Sequence, residues 1–144
     1  MTAGTASPER FPIHLRVQPA DIDELGHVNN LVYLRWVQEA AIAHWTARTT
    51  AEQRAILTWV VVRHEIDYKR PAMPEDELVV TTWVGIASRR TYERHTEIAR
   101  AADGTVLAKA RTLWVPLDPA TLRVTEVPGE IRERFSVPGE ATSP

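Results

Sequence analysis

The residues able to do chemistry crowd into one short stretch, Asp21-Ile22-Asp23-Glu24-Leu25-Gly26-His27-Val28-Asn29-Asn30. Carboxylates, a glycine, a histidine and two asparagines lie there together, running straight into Leu31-Val32-Tyr33-Leu34-Arg35-Trp36. From Leu31 to Arg48 there is no Gly or Pro and much Ala, Leu and Val. That pattern predicts one long helix, from about Asn29 to Arg48, with the polar cluster at its N-terminal mouth. A helix N-terminus presents unpaired N–H groups and partial positive charge, so it stabilises an acceptor that is gaining negative charge. A carboxylate beside such donors is the minimal equipment for adding water to an acyl carbonyl.

The rest of the chain must position that stretch. Residues 1–10 read as a small-residue, disordered leader, residues 11–136 as a single domain and residues 137–144 as a frayed tail. Phe11 to Val17 alternates apolar and polar side chains and predicts a short strand. Gln18 to Gly26 forms a loop carrying Asp21 and Asp23. The long helix is apolar nearly all round, which predicts burial on all sides. Thr49 to Leu57 is a polar connector with room for a helical turn.

Four strands are then expected, at Trp59–Lys69, Leu78–Ile86, Thr91–Arg100 and Thr105–Val115. Asp103-Gly104 is a strong hairpin turn between the last two. In the final strand Val106, Ala108, Ala110, Thr112 and Trp114 share a face, and the small residues at 108 and 110 leave room for the helix to lie on the sheet. Gly129 to Phe135 has the composition of a short terminal helix. One strand, one long helix and a run of antiparallel strands make an α+β pattern.

Composition excludes several classes. At 144 residues the chain is one domain, with 44% hydrophobic and 25% charged residues, an ordinary globular balance. A formal net charge of −2 argues against a nucleic-acid binder. Without cysteine there is no disulfide, thiolate metal site or Cys nucleophile. No apolar run approaches the ~18 residues of a membrane span, and the N-terminal residues lack the apolar core of a secretory signal, so a cytoplasmic protein is expected. The other histidines, 14, 44, 64 and 95, have no helical metal spacing, so no metal is expected. No Gly-x-Ser-x-Gly elbow is present, which argues against serine hydrolase chemistry.

On residue type alone Asp23 is either a turn residue or a catalytic carboxylate. Asp21, two residues earlier, points elsewhere in an extended segment and is assigned a capping or loop-bonding role. Gly26 serves backbone conformation and close approach of a substrate. Asn29 and Asn30 can cap the helix. Glu39 is the only acid between Asn30 and Arg48, and it is expected to pair with Arg35, four residues earlier. Arg89 and Arg90 at a strand corner are either solvated charge or phosphate ligands.

Asp23-x-x-Gly26-His27-Val28-Asn29-Asn30-x-x-Tyr33 resembles the signature of the hotdog-fold acyl-CoA thioesterases related to 4-hydroxybenzoyl-CoA thioesterase. Ile66-Asp67-Tyr68-Lys69-Arg70-Pro71 resembles that family's strand after the helix, and Trp114-Val115-Pro116-Leu117-Asp118 its last strand. The likeness spans roughly residues 11 to 130. It implies a hotdog fold, a long central helix wrapped by a curved antiparallel sheet of about five strands, and a homodimer or tetramer with its active site between subunits.

It also implies roles. Asp23 falls where these enzymes carry their catalytic aspartate, and the backbone N–H of Asn30 where they polarise the thioester carbonyl. Gly26 and Tyr33 fall at the substrate-binding motif, and Arg89 and Arg90 near the corner that meets coenzyme A phosphates. His27 aligns with a histidine given a catalytic role in plant acyl-carrier-protein thioesterases, but those relatives also carry an Asn where this chain has Leu25. His27 is therefore either a catalytic partner of Asp23 or a loop organiser.

The activity implied is hydrolysis of an acyl-CoA to free acid and coenzyme A with no cofactor. Asp23 would act as general base or as nucleophile. An acyl-carrier-protein thioesterase, a hotdog hydratase or dehydratase, and a non-catalytic acyl-thioester-binding protein are the alternatives.

Overall fold

The structure, a computed structural model, describes residues 8–135. Strand β1 (Phe11–Arg16) leads through a 3-10 turn at Pro19–Asp21 to helix α1 (Asn30–Arg48). Helix α2 (Ala51–Ala55), strands β2 (Thr58–Tyr68), β3 (Glu77–Ala87), β4 (Tyr92–Arg100) and β5 (Val106–Leu117), and helix α3 (Gly129–Arg134) follow. The strands form one five-stranded antiparallel sheet in the order β1-β3-β4-β5-β2. A long helix on a five-stranded antiparallel sheet is the hotdog arrangement that the resemblance implies.

Local chemistry explains the boundaries. Asn29 caps α1, its side-chain oxygen accepting the Leu31 N–H at 2.8 Å. Thr50 and Gln53 form a capping box that starts α2, the helical turn anticipated in the connector. Gly104 takes a φ of 73° in the β4–β5 turn, a conformation that glycine adopts without strain, and Asp103 braces it by accepting the Thr105 N–H.

One expectation is corrected. The helix α1 is buried along one side only, through Tyr33, Trp36, Val37, Ala40, Ala41 and His44, spaced three or four apart or adjacent. On its other side Leu31 is 70% exposed and Ile42 58% exposed. The single sheet covers one face of a helix, and no second layer lies over the other among the described residues.

The sheet's inner face holds two apolar clusters. Beneath the first half of α1, Tyr33, Trp36, Val37 and Ala40 pack on Leu78, Val80, Ile98, Leu107, Ala108 and Ala110. Ala108 and Ala110 do supply the room for the helix. At the far end Leu57, Val84, Tyr92, Val127, Ile131 and Phe135 gather with Trp45, Trp59 and Trp114. A row of buried polar side chains separates the two: Thr82, Arg94, Thr96 and Thr112, with His44 above them. Period-two alternation puts Tyr92, Arg94, Thr96 and Ile98 of β4 on this same inner face.

Residues 1–7 of the expected leader and the expected tail lie outside the described residues. The end of the leader is not loose, however. Glu9 accepts from Arg48 and lies 2.8 Å from His44 Nε2, and the Arg10 guanidinium stacks 3.8 Å over the Trp83 ring. The fold therefore begins before Phe11, because an ion pair and a cation–π contact anchor the segment.

His44 is fully buried, and desolvation drives its pKa from 6.5 down to about 4, so it is neutral. Its Nδ1 accepts from Arg94 at 3.0 Å, which leaves the Nε2 proton to donate to Glu9. The Arg48 hydrogen bond lowers the Glu9 pKa as well. Between pH 6.5 and 4 the unfolded chain binds a proton at His44 that the folded chain refuses, so stability falls as pH falls through this window. The slope there should reach about 1.4 kcal/mol per pH unit. Thermal melts from pH 7.5 to 4.5 should show this loss, and His44→Gln should flatten it.

Candidate active site

The loop before α1 folds back on itself. Ile22 and Val28 form an isolated antiparallel bridge, the Asp23 N–H donates to the His27 carbonyl at 2.8 Å, and the Asn29 N–H donates to the Asp21 carbonyl at 2.9 Å. Gly26 sits at the tip with φ 79° and its N–H on the Asp23 carbonyl. No side chain approaches within 4 Å of where a Cβ would stand, so backbone conformation alone requires glycine there.

Asp23 is half-buried, and its Oδ1 accepts the Leu25 N–H at 2.9 Å and the His27 N–H at 3.4 Å. Two amides on one oxygen orient the carboxylate and leave Oδ2 without a hydrogen bond among the described residues. Asn30 opens α1, and its N–H has no hydrogen-bond partner among the described residues. A held carboxylate and an unsatisfied helix amide therefore lie on one short loop. His27 is exposed and touches Asp23 only through main-chain bonds.

Asp21 has the structural role assigned to it. It is 3% exposed, accepts the Gln18 N–H at 2.9 Å and pairs with Arg35 at 3.0 Å. Arg35 also reaches Glu39 at 3.4 Å, the expected helical pair. Tyr33 lies in the core at 2% exposure, and its hydroxyl accepts the Ala72 N–H at 2.8 Å. Burial raises its pKa, and its ring meets Tyr68 edge-on. Tyr68 in turn donates its hydroxyl to the Asn30 carbonyl at 3.2 Å, tying the end of β2 to the start of the helix.

Arg89 and Arg90 are exposed in the Ser88–Thr91 corner between β3 and β4, and Arg89 pairs with Glu126. This corner adjoins Ala87 and Tyr92, whereas the loop bonds to Ala72, just before the opposite end of β3. Within one chain the fold thus joins Asp23, Gly26, His27 and Asn30 and leaves the arginine corner at the far end.

Residues to which the sequence reading gave no site role lie at that far end as well. His44, Arg94 and Trp114 line or flank a cavity there. The signals were present: His44 extends the three-and-four spacing from Tyr33, and alternation along β4 turns Arg94 inward.

Residues 17–135 match the Thioesterase-like superfamily, and the chain belongs to that family. The long-chain acyl-CoA thioesterase FadM of Escherichia coli is 28% identical over 126 residues, 84% of this chain and 93% of that protein. A chloroplastic acyl-[acyl-carrier-protein] hydrolase of Cuphea viscosissima is 29% identical over 135 residues, but the chain spans only 32% of that protein's length. A Thermus thermophilus thioesterase solved with coenzyme A and Zn superposes with a TM-score of 0.77 at 28% identity, over 87% of this chain and 90% of that one.

Because Asp21 ties the 3-10 turn and Arg35 to the loop, Asp21→Ala removes a nearly buried carboxylate and takes a charged partner from both the Gln18 N–H and Arg35. Chemical denaturation should show a loss of about 1–3 kcal/mol.

Proposed function

We propose that this protein hydrolyses an acyl-CoA thioester to free acid and coenzyme A at the loop preceding α1. The observation that carries this reading is the Asp23 carboxylate, oriented by two loop amides on the loop that leads into the Asn30 N–H, which has no partner among the described residues. Both small relatives, matched over most of their length, support it: one is named for long-chain acyl-CoA and the other was solved with coenzyme A.

The thioester oxygen would face the Asn30 N–H, where the helix dipole favours the negative charge that develops on it. Asp23 takes a proton from water as that water attacks the carbonyl carbon, and collapse of the tetrahedral intermediate breaks the C–S bond. The thiolate of coenzyme A then collects the proton. Direct attack by Asp23 gives an anhydride that water opens, with the same products. The two routes differ in whether solvent oxygen passes through the Asp23 side chain. Gly26 would let substrate approach the backbone, His27 would organise the loop, and Tyr33 would support it from the core.

A homodimer completes the reading. Strand β2 lies at the sheet edge, with Val60 42% and Val62 58% exposed, and Leu31 and Ile42 are exposed on the uncovered helix face. Free strand edges with apolar side chains favour pairing with another copy. Antiparallel pairing of β2 with its symmetry mate sets the Thr58 end of one copy beside the Tyr68 end of the other. The arginine corner of one subunit then approaches the Asp23 loop of its partner, where coenzyme A phosphates would lie. Light scattering at micromolar concentration should give a dimer or tetramer, and Val62→Lys should shift it toward monomer; a fully active monomer would overturn this arrangement.

The decisive measurement is turnover of a panel of acyl-CoA esters followed by free-thiol release. Asp23→Asn should lower kcat at least ~10²-fold while the melting temperature stays near that of the parent. Glu39→Gln should retain most activity, since Glu39 only pairs with Arg35 on the helix surface. The opposite pattern would move the chemistry to the helix.

A further inference from the structure

Strand β2 ends at Tyr68, on the edge of the sheet opposite β1. Alternation turns its ring to the same face as Ile66, toward α1. Its partner on β5 is Ala108, a small residue that leaves room above the sheet for the ring. The ring meets Tyr33 edge-on, centroids 5.2 Å apart at 85°, and the hydroxyl donates to the Asn30 carbonyl at 3.2 Å. Tyr68 is 46% exposed, so this bond is made at the rim of the molecule and not in the core.

The acceptor is what sets this bond apart. A helix carbonyl accepts the N–H four residues on, and its second lone pair is open to another donor. Asn30 gives that lone pair to Tyr68. The N–H of the same peptide, that of Leu31, donates to the Asn29 side chain at 2.8 Å. The preceding peptide has its carbonyl on the Val32 N–H at 2.9 Å, and its own N–H is that of Asn30, without a partner among the described residues.

The direction of the Asn30 N–H is therefore set by what holds these two peptides. The Asn29 and Val32 bonds lie within the turn and move with it. Among the described residues, the Tyr68 hydroxyl is the side-chain donor that reaches these peptides from the sheet. Tyr33 and Ala72 brace the loop by a separate route, through the Val28 N–H. Stabilising a developing oxyanion requires a donor about 2.7–3.1 Å from where that oxygen will stand, so a small swing of the turn matters.

We propose that Tyr68 is a positioning residue for thioester hydrolysis: by holding the Asn30 carbonyl it keeps the Asn30 N–H aimed at the thioester oxygen. The catalytic half of this statement rests on the proposed function; the tether between β2 and the first turn of α1 does not. In this role Tyr68 touches no reacting atom and exchanges no proton with the substrate.

The test is Tyr68→Phe, which keeps the ring against Tyr33 and removes only the hydroxyl. Amide exchange followed by NMR should be ~5-fold faster at Leu31 and Val32, the size of one lost neutral hydrogen bond, with the core amides of β4 unchanged. With the acyl-CoA that the parent turns over best, kcat should fall about 5- to 10-fold and KM stay within about twofold, because the N–H acts on the transition state. An S-alkyl-coenzyme A thioether, which has no carbonyl, should bind parent and variant equally. The loss in kcat should be constant from about pH 6 to 9, since a tether carries no proton.

Unchanged exchange with unchanged kcat would overturn the proposal, and so would faster exchange with kcat intact. Weaker thioether binding or a raised KM with kcat unchanged would make Tyr68 a substrate contact, and a loss confined to one end of the pH range would make it a proton donor; either result overturns positioning. A parent chain that hydrolyses no acyl-CoA while Tyr68→Phe still speeds exchange would sink the proposed function and leave the tether standing.

Discussion

A 19-residue helix laid along one curved sheet has to be matched by that sheet over its whole length, and here the match is broken in the middle by a buried guanidinium. Arg94 bonds upward to His44 of α1 and sideways to Thr82 of β3. These directional bonds fix the height and rotation of the helix more tightly than the apolar contacts on either side, which tolerate sliding. The same bond demands a neutral His44, which in turn holds Glu9 and with it the segment entering β1. Terminal segment, helix and three central strands are thereby joined through one polar row.

The row also divides the molecule chemically. On one side the helix begins, its Asn30 N–H without a partner among the described residues and a carboxylate held a few residues before it. On the other side the helix ends, where the dipole is negative and favours cations; Arg48 and Arg54 stand there, with Arg54 donating to the Thr46 and Thr49 carbonyls. Acids before the start and bases around the end follow the macrodipole. The consequence is two ends of opposite charge character.

How much of this was legible in the residues varies with the kind of information. Strands and helices were, because alternation from Phe11 to Val17 and in β5, and the unbroken run to Arg48, are local signals. The loop geometry was too, since Gly26 and the Asx residues around it have narrow conformational uses. Burial of α1 was misjudged because composition reports how apolar a helix is, not how many layers cover it; Leu31 and Ile42 look like core residues and face outward. Glu9 was placed in a loose leader because its partners, His44 and Arg48, lie more than thirty residues away. The bonds of Arg94 to His44 and Thr82 could not be read at all: alternation turns the side chain inward, but which groups meet it depends on which strands and which part of the helix close around it.

Tyr33 shows how a motif residue can serve a site without facing it. Its hydroxyl accepts the Ala72 N–H, and the Ala72 carbonyl accepts the Val28 N–H at 3.4 Å, so the ring links the helix to the loop through the segment after β2. Tyr68, stacked edge-on against it, holds the Asn30 carbonyl. Two tyrosines thus fix the first turn of α1 from below, while Asp21 and Asn29 fix it from the loop side. The Asn30 N–H has no partner among the described residues, within a turn that is otherwise bound, and under the proposed function a donor held rigid in this way would need no reorganisation when charge arrives. Preorganisation of that kind is built from packing and capping residues. Accordingly the side chains of Asp21, Asp23, Asn29 and Tyr33 each accept from a backbone N–H.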